Sequence, residues 1–405
     1  MNSPLKKIPS ARVTQGMYVH KIVGKWIDHP FWKGSFLVTD AKTLRVLQAL
    51  GQTEVWIDID KGIDLDTAAA DAHAPPRDDS PAPVAAAPAP GPAPPRTDFG
   101  DEVVRAEALR ERAKDVAKAL FTDARMGRAL DMEAATDIVG EVNDAIMRHP
   151  AAMLSVVRLK KKDDYTYLHS VAVSALMMAL GRRLGIEGEE LSELGMAGLL
   201  HDIGKVGVAD KVLNKPGRLN PLETTSIRLH PQIGWDILCN VSGANPVTLD
   251  VCLHHHEKTD GTGYPDKLSG AAISRAARMG AICDVYDAIT SDRPYKKGWE
   301  PVEAIRRMAE WQEGHFDRDI FHTFVRMIGI YPTGTLVRLQ SDRLAVVLTQ
   351  GHNSTLTPTV RAFRSLPSLQ DIEPVQLDLD DRSDVIVGIE DPLDLGIDMP
   401  TLLRA

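Results

Sequence analysis

The residues that decide the fold are 197–205, which read AGLLHDIGK. An apolar helix end here leads directly into His201 and Asp202. Burying an imidazole and a carboxylate is costly unless something compensates them, and a metal does so, because the aspartate can bridge two cations while the histidine binds one. Gly204 lets the chain turn, so that Lys205 stays close enough to reach a phosphate. For the dipeptide alone, the alternative is a helix end with an internal His–Asp hydrogen bond.

Three further clusters of the same chemistry weigh against that alternative. They are HPQIG at 230–234, HHE at 255–257 followed by DGTGYP at 260–265, and DVYDA at 284–288. Six of the thirteen histidines fall between His169 and His256. Histidine with carboxylate is the ligand set that divalent first-row metals prefer, so the sequence predicts a metal-dependent site.

Composition restricts the function classes. The chain has 405 residues, which predicts two or three domains, and its net charge is -9. This acidity argues against binding to a nucleic-acid polymer or to a membrane surface. A phosphate-bearing substrate must therefore be attracted by a local group of cations. The three cysteines form no CxxC pair and predict neither a disulfide framework nor a thiolate zinc site.

The sequence predicts a cytoplasmic protein. Residues 1–13 lack the apolar core of a signal peptide. The longest apolar stretch, residues 171–180, is too short to span a bilayer.

Composition and periodicity also divide the chain. Residues 68–98 are predicted to be a linker, because they are rich in Ala and Pro and cannot offset their ordering entropy by burying apolar surface. The other predicted parts are a small α+β accessory module at 1–67, a helical catalytic domain at 99–330 and a β-rich appendage at 331–405. The fold class is therefore expected to be mainly α.

Within the module, strands are predicted at 36–39 and 55–59, with a helix at 41–50 between Asp40 as N-cap and Gly51 as stop. In the helical part, Gly185 separates two strong helix patterns, 163–184 and 187–200, and a further helix starts at Pro301. The appendage has strand patterns at 336–339, 344–348, 359–363 and 384–387.

These segments resemble the HD-GYP family, the cyclic di-GMP phosphodiesterase branch of the HD metal-dependent phosphohydrolases. His201-Asp202 corresponds to the HD pair and residues 263–265 to the GYP triplet; KPGRL at 215–219 and SDRPYK at 291–296 also fit in order and spacing. The resemblance spans about residues 160–330 and implies an HD-type helical bundle. The N-terminal segment and linker resemble an accessory domain of unknown function that is often fused ahead of HD-GYP domains.

The resemblance implies two metal ions with one shared ligand. The first would be held by His169, His201, Asp202 and Asp284, and the second by Asp202, His230, His255 and His256. His254 is out of register with these ligands. Lys205 would contact phosphate, acting in catalysis with Asp202. Arg293 and Lys296 would hold the far side of the dinucleotide and offset the acidic background.

The GYP loop contains Gly261, Gly263, Tyr264 and Pro265. Its expected role is to fix the histidines of the second metal, with Glu257 and Asp260 as orienting groups, and Asp287 is a further candidate of this kind. A sharper hypothesis is that the residues around Tyr264 form a recognition surface for a signalling protein. A homodimer is left open.

The expected reaction hydrolyses cyclic di-GMP by a hydroxide that bridges the two metals. Iron or manganese is favoured, with zinc, nickel and magnesium as alternatives, because availability decides among them. Some family members carry a glutamate that recruits a third metal where this chain has Tyr165, and Asp164 is off that helix face. We therefore expect two metals and linear pGpG, rather than GMP, as the main product.

Two alternatives remain. A non-catalytic sensor would bind the dinucleotide and signal through the flanking modules. A phosphohydrolase of the HD type could also act on another nucleotide, because base choice is not readable from these residues.

Overall fold

The computed structural model describes residues 5–22, 36–39, 44–45, 47–48, 54–63, 98–158, 165–292, 297–351, 354–392 and 394–404. The chain divides into two compact units, Met1–Gly91 and Pro92–Ala405. Apart from Asp98, the predicted linker at 68–98 lies outside the described residues, so the domain boundaries stay a prediction.

The first unit contains a four-stranded antiparallel sheet. Its strands are β1 (Leu5–Pro9), β2 (Tyr18–Ile22), β3 (Phe36–Leu37) and β4 (Glu54–Asp58), in the spatial order β1-β4-β2-β3. Alternation along β4 buries Val55 and Ile57 in one core with Val19 of β2.

Both strands predicted in this unit are confirmed, with small shifts of their ends. Residues 44–45 and 47–48 of the predicted helix are helical, whereas Asp40 and Gly51 lie outside the described residues. Strands β1 and β2 were not predicted, because lysine and histidine interrupt their apolar residues in LKKIP and YVHKI.

The described residues of the second unit begin with a helical bundle. The helices are α1 (Phe99–Arg125), α2 (Met132–Arg148), α3 (Pro150–Arg158), α4 (Tyr165–Arg183), α5 (Gly188–Leu200), α6 (Asp210–Leu213), α7 (Pro221–Ile227), α8 (His230–Leu238), α9 (Pro246–His254), α10 (Arg275–Thr290), α11 (Pro301–His315) and α12 (Arg318–Ile328). The expected HD-type bundle, and with it the mainly α fold class, is confirmed.

Helix α4 is the centre of this bundle. Every residue from Leu168 to Gly181 is buried, as is typical of a helix that is apolar on all sides. It packs against α1, α3, α5 and α10. Gly185 ends the helical segment with φ of 79°, which lets the Ile186 amide donate to the Gly181 carbonyl. The predicted break at Gly185 is therefore confirmed.

The appendage is a five-stranded antiparallel sheet followed by a short helix. Its elements are β5 (Leu336–Leu339), β6 (Arg343–Thr349), β7 (Thr359–Ser365), β8 (Asp371–Asp378), β9 (Ile386–Ile389) and α13 (Met399–Arg404), and the strand order is β8-β7-β6-β5-β9. Val337, Val347 and Val360 lie in its core. Helix α13 returns to α1, where Arg404 pairs with Glu107.

The predicted strands of the appendage are confirmed, although β9 begins two residues later than expected. Strand β8 was not identified from the sequence. It is an edge strand, most of its side chains are exposed, and it contains Pro374, which only an edge position tolerates. None of the helices in the described part of the chain is both long and apolar enough to cross a bilayer.

Candidate metal centre

Asp202 lies at the centre of the predicted site. It follows α5 and precedes a 3-10 turn, Ile203–Gly207. This turn packs so closely on the start of α8 that a Cβ added to Gly204 would lie 1.9 Å from the His230 carbonyl oxygen. Glycine alone allows that approach, which brings Asp202 next to His230.

The two carboxylate oxygens of Asp202 face different histidines. Oδ2 lies 3.4 Å from Nε2 of His169 and 3.3 Å from Nε2 of His201. Oδ1 lies 3.3 Å from Nε2 of His230 and 3.8 Å from Nε2 of His255. Asp202 is completely buried. It therefore stands between two pairs of imidazoles, as a shared ligand would.

Asp284 of α10 and His256 complete the cluster. Asp284 Oδ1 is 3.1 Å from Nε2 of His169, and its Oδ2 is 3.9 Å from Nδ1 of His256. Six of the candidate ligands form two groups of three. Within each group, one ligand atom from each residue lies within 4.8 Å of the other two. One group is His169, His201 and Asp202, and the other is His230, His255 and His256. All the residues predicted as metal ligands thus come together.

Four of the imidazoles are oriented through Nδ1. Nδ1 of His201 lies 2.7 Å from the Gly198 carbonyl, and Nδ1 of His230 lies 2.6 Å from the Ile227 carbonyl. Nδ1 of His255 lies 3.0 Å from the Val251 carbonyl, and Nδ1 of His169 lies 2.6 Å from Oδ2 of Asp287. Each ring consequently turns Nε2 towards Asp202. Metal-ligating histidines typically have one nitrogen fixed by a carbonyl or carboxylate in this way.

Two buried atoms of the cluster lack a hydrogen bond among the described residues. They are Nε2 of His201 and Oδ1 of Asp202. Leaving a buried acceptor without a partner costs free energy, and more so for a charged group. A divalent cation bonds to imidazole nitrogen and to carboxylate oxygen alike, so this donor set fits a divalent metal.

The electrostatics of the cluster set the pKa values of His255 and His256 apart from that of His201. Burial acts to lower the pKa of His201, but the adjacent Asp202 raises it above its ordinary value. Burial and neighbouring imidazoles lower the pKa of His255 well below its ordinary value, and burial lowers that of His256 to about 3. His255 and His256 are therefore neutral and can bind a metal ion directly, whereas a metal ion would compete with a proton at His201.

Both carboxylates of the cluster, Asp202 and Asp284, have a pKa well below the ordinary value. Burial would raise the pKa of Asp202, but Lys205 and the imidazoles hold it well below its ordinary range. The Lys205 ammonium forms an ion pair with Oδ2 of Asp202, and this contact outweighs burial and raises the lysine pKa. The side chains of Lys205 and His256 are 23% and 25% exposed, so this edge of the cluster is open to a substrate.

The residues expected to orient the ligands occupy different places. Asp287 accepts from His169 directly, as expected of an orienting group. Glu257 is buried and accepts from the Asp266 amide, and Asp260 accepts from the Thr262 amide. Both side chains thus shape the loop, and among the described residues neither forms a hydrogen bond or ion pair with a candidate ligand.

The remaining candidates lie away from the cluster or outside the described residues. His254 bonds to Asp250 and Asp266 and not to the candidate ligands, as its register predicted. Arg293 and Lys296 lie outside the described residues, as does Asp164. Tyr165 is described, and its ring stacks on that of His169.

Arg228, which lies beside the cluster, was not identified from the sequence. The ring of Tyr264 stacks on His256 with centroids 4.8 Å apart, and the Arg228 guanidinium lies 5.1 Å from the centroid of the same tyrosine. Arg228 ends α7 and has no motif around it, so only the folded chain brings it to the GYP loop.

Two family models match segments of the chain. Residues 142–320 match the model described as HD domain, a range that contains all the candidate ligands. Residues 5–135 match a model described as a domain of unknown function, DUF3391, in agreement with the expected accessory domain.

Individual relatives extend these matches. The chain is 50% identical over 395 residues to cyclic di-GMP phosphodiesterase PA4108 of Pseudomonas aeruginosa, covering 95% of this chain and 92% of that protein. It is 34% identical over 214 residues to the cyclic di-GMP phosphodiesterase response regulator RpfG of Xanthomonas campestris, covering 51% of this chain and 55% of that protein. The solved structure of Bd1817, a HDG"Y"P protein from Bdellovibrio bacteriovorus, matches with a TM-score of 0.48 and 19% identity, covering 79% of this chain and 98% of that one.

The HD model matches the segment in which Asp202 and its histidines converge. A relative with half of its residues identical is matched over nearly its whole length. The chain therefore belongs to the HD-GYP family of HD-domain phosphohydrolases.

Proposed function

We propose that this protein is a metal-dependent phosphodiesterase that hydrolyses cyclic di-GMP. The position of Asp202 carries this proposal, because its two oxygens face two pairs of histidines. Three of the relatives, from Pseudomonas aeruginosa, Xanthomonas campestris and Thermotoga maritima, are named cyclic di-GMP phosphodiesterases. Another, from Vibrio cholerae, is named a 3'3'-cGAMP-specific phosphodiesterase, so the preference between cyclic dinucleotides has to be measured.

The proposed ligand set for two divalent cations follows the two groups around Asp202. His169, His201 and Asp284 would hold one cation, His230, His255 and His256 the other, and Asp202 would contact both. Cations in such a site supply a water nucleophile at neutral pH and stabilise negative charge on the phosphate. Iron or manganese is the proposed metal, because the mixed His and Asp donors suit both.

The protein's own groups would position the substrate and preserve the ligand geometry. Lys205, at the open edge, is placed to contact a non-bridging phosphate oxygen and to balance its charge. Asp287 and the carbonyls hold the imidazoles with Nε2 inward, so no ring has to reorient when a substrate arrives. The buried walls exclude bulk water, which strengthens each of these interactions.

We further propose Arg293 and Lys296 as contacts for the second half of the dinucleotide, and pGpG as the product. Tyr165 supports this product, because it occupies the sequence position at which some family members carry the glutamate that recruits a third metal; its ring stacks on His169. Cytoplasmic location, homodimerisation and a signalling partner at the GYP loop stay predictions.

The test is a product analysis with matched variants. Full-length protein purified without oxygen is supplied with iron(II) or manganese(II) and incubated with cyclic di-GMP, 3'3'-cGAMP or cyclic di-AMP, and the products are resolved by chromatography. We expect pGpG from cyclic di-GMP. Asp202→Asn, which keeps the side-chain shape, should abolish turnover, whereas His254→Ala should retain it, because His254 bonds only outside the cluster among the described residues.

The same assay distinguishes the phosphodiesterase from a non-catalytic sensor of cyclic di-GMP. Saturable binding of cyclic di-GMP without any hydrolysis in metal-loaded protein would replace the phosphodiesterase with a binding module. Faster hydrolysis of another nucleotide would instead reassign the substrate while keeping the reaction class.

A further inference from the structure

A large cavity of the second unit lies away from the metal centre. Its volume is about 940 Å³, and pockets that hold small molecules measure about 300–1,000 Å³. Its wall is formed by the ends of α2, α3, α4 and α12 and by β6. Arg182, in the last turn of α4, is about 20 Å along that helix from His169.

Arginines dominate the charged part of this wall. Arg148, Arg158, Arg182 and Arg183 all line the cavity. Arg148 pairs with Glu102, whose Oε2 lies 3.3 Å away and whose other oxygen pairs with Arg105. In the part of the chain that the structure describes, the other three arginines have no carboxylate within ion-pair distance.

The two acidic residues of the wall, Asp98 and Glu187, offset these cations only in part, because four arginines line the same cavity. The Asp98 carboxylate caps α1 by accepting from the Gly100 amide. Glu187 is exposed and pairs with none of the described cations. The cavity therefore has an excess of positive charge in a chain whose net charge is -9.

Helix termini explain part of this pattern. The four arginines lie in the last turns of α2, α3 and α4, where a cation interacts favourably with the helix dipole. That role uses few donors: Arg158 donates to the Thr333 carbonyl and Arg182 to the Ile146 carbonyl. A guanidinium has five N–H donors, and Arg183 makes no hydrogen bond with the described residues. Most of the donors thus remain available to an anion.

The rest of the wall is suited to an uncharged ligand body. Leu154, Met327 and Ile328 line the same cavity. Phe99 and His149 meet edge to face in the wall, with ring centroids 5.2 Å apart. A wall that combines apolar and aromatic side chains with a few charged groups is typical of small-molecule sites.

We propose that this cavity binds a nucleotide-sized phosphorylated small molecule, with its phosphate held by Arg158, Arg182 and Arg183. Phosphate oxygens match the fork of a guanidinium, and arginine is for this reason the common partner of phosphate groups. The apolar wall would contact the base and sugar. This site is distinct from the metal centre and depends on none of its assignments.

The experiment is a calorimetric titration of the full-length chain. GMP and AMP are the probes, guanosine and adenosine are the phosphate-free controls, and inorganic phosphate is the anion alone. We expect saturable binding of a nucleotide, and binding of its nucleoside weaker by at least about tenfold, because hydrogen bonds to charged groups are lost. The same binding should persist in Asp202→Asn, which separates it from binding at the metal centre.

Charge reversal at the cavity is the decisive variant. Arg183→Glu removes no hydrogen bond with the described residues and loses only a modest interaction with the end of α4, so it should still fold and weaken nucleotide binding by about tenfold or more. Arg275→Glu is the matched control, because Arg275 bonds to the nearby Leu184 carbonyl and does not line the cavity. Arg182→Gln provides a second, milder variant with the same expected direction.

Four results would overturn the proposal. They are no saturable binding of either nucleotide, loss of that binding in Asp202→Asn, unchanged affinity in both Arg183→Glu and Arg182→Gln, and binding of inorganic phosphate as tight as that of the nucleotides.

Discussion

Oδ2 of Asp287 lies 2.6 Å from Nδ1 of His169, on a ring whose Nε2 is 3.1 Å from Asp284. The first contact fixes the tautomer and the direction of the second. Removing such a partner typically lowers metal affinity by about 10–100-fold. We expect that loss in Asp287→Ala, measured by competition with a chelator. Asp287→Asn, which can still accept through its amide oxygen, should lose less; equal metal affinity in wild type and Asp287→Ala would contradict this role.

Lys205 should affect turnover more than binding. Its ammonium is at the open edge of the cluster, where it would stabilise the negative charge that develops on the phosphate during the reaction. Lys205→Gln should therefore lower kcat by about 10²–10³-fold, with a smaller change in KM. Lys211→Gln, at an exposed position on α6, is the control. A change confined to KM would show that Lys205 contributes ground-state binding alone.

Gly204 should tolerate no side chain. The Cβ of Gly204→Ala would lie 1.9 Å from the His230 carbonyl oxygen and 2.3 Å from the Gly234 amide nitrogen. Overpacking of this kind costs about 1–3 kcal/mol of unfolding free energy, so we expect a clear fall in Tm with reduced metal content. Gly140→Ala in α2 is the contrast, because its Cβ would meet nothing within 4 Å. Gly140→Ala should be neutral or stabilising.

Acid should weaken the appendage through Asp384. Burial would raise the pKa of this carboxyl, but hydrogen bonds from Ser341 and Arg343 hold it below its ordinary value. A group with a depressed pKa contributes its full stability above its unfolded pKa and loses it as pH falls through the folded one. Wild type should therefore be more stable than Asp384→Asn at pH 7, and the difference should shrink below about pH 4. Denaturant titration of both proteins at several pH values measures this difference in unfolding free energy. A difference that does not change with pH would show that the ionised Asp384 carboxylate is not its cause.

The convergence of the candidate metal ligands was largely predictable from sequence, because their chemistry is carried by residue types and local motifs. His201 and Asp202 are adjacent, and the GYP loop directly follows His255 and His256. The pairing of Asp287 with His169 could be suspected but not assigned, because the two residues meet only when α4 and α10 pack together.

Other features depend wholly on tertiary structure. Arg228 has no neighbouring motif that points to Tyr264. The arginines at the ends of α3 and α4 look like ordinary helix-terminal cations until the fold encloses a cavity between them. Strand β8 was not predicted for a different reason: an exposed edge strand has no alternation of apolar and polar residues.

The carbonyls that orient three of the imidazoles have a second role. Gly198, Ile227 and Cys252, whose carbonyl lies 3.1 Å from Nδ1 of His255, each lie among the last four residues of a helix, where carbonyl groups lack a full set of intrahelical donors. The imidazole N–H groups thus act as C-terminal caps of α5, α7 and α9. Replacing one of these histidines should consequently fray a helix end even in apoprotein, and hydrogen exchange at those termini would register the damage independently of any cation.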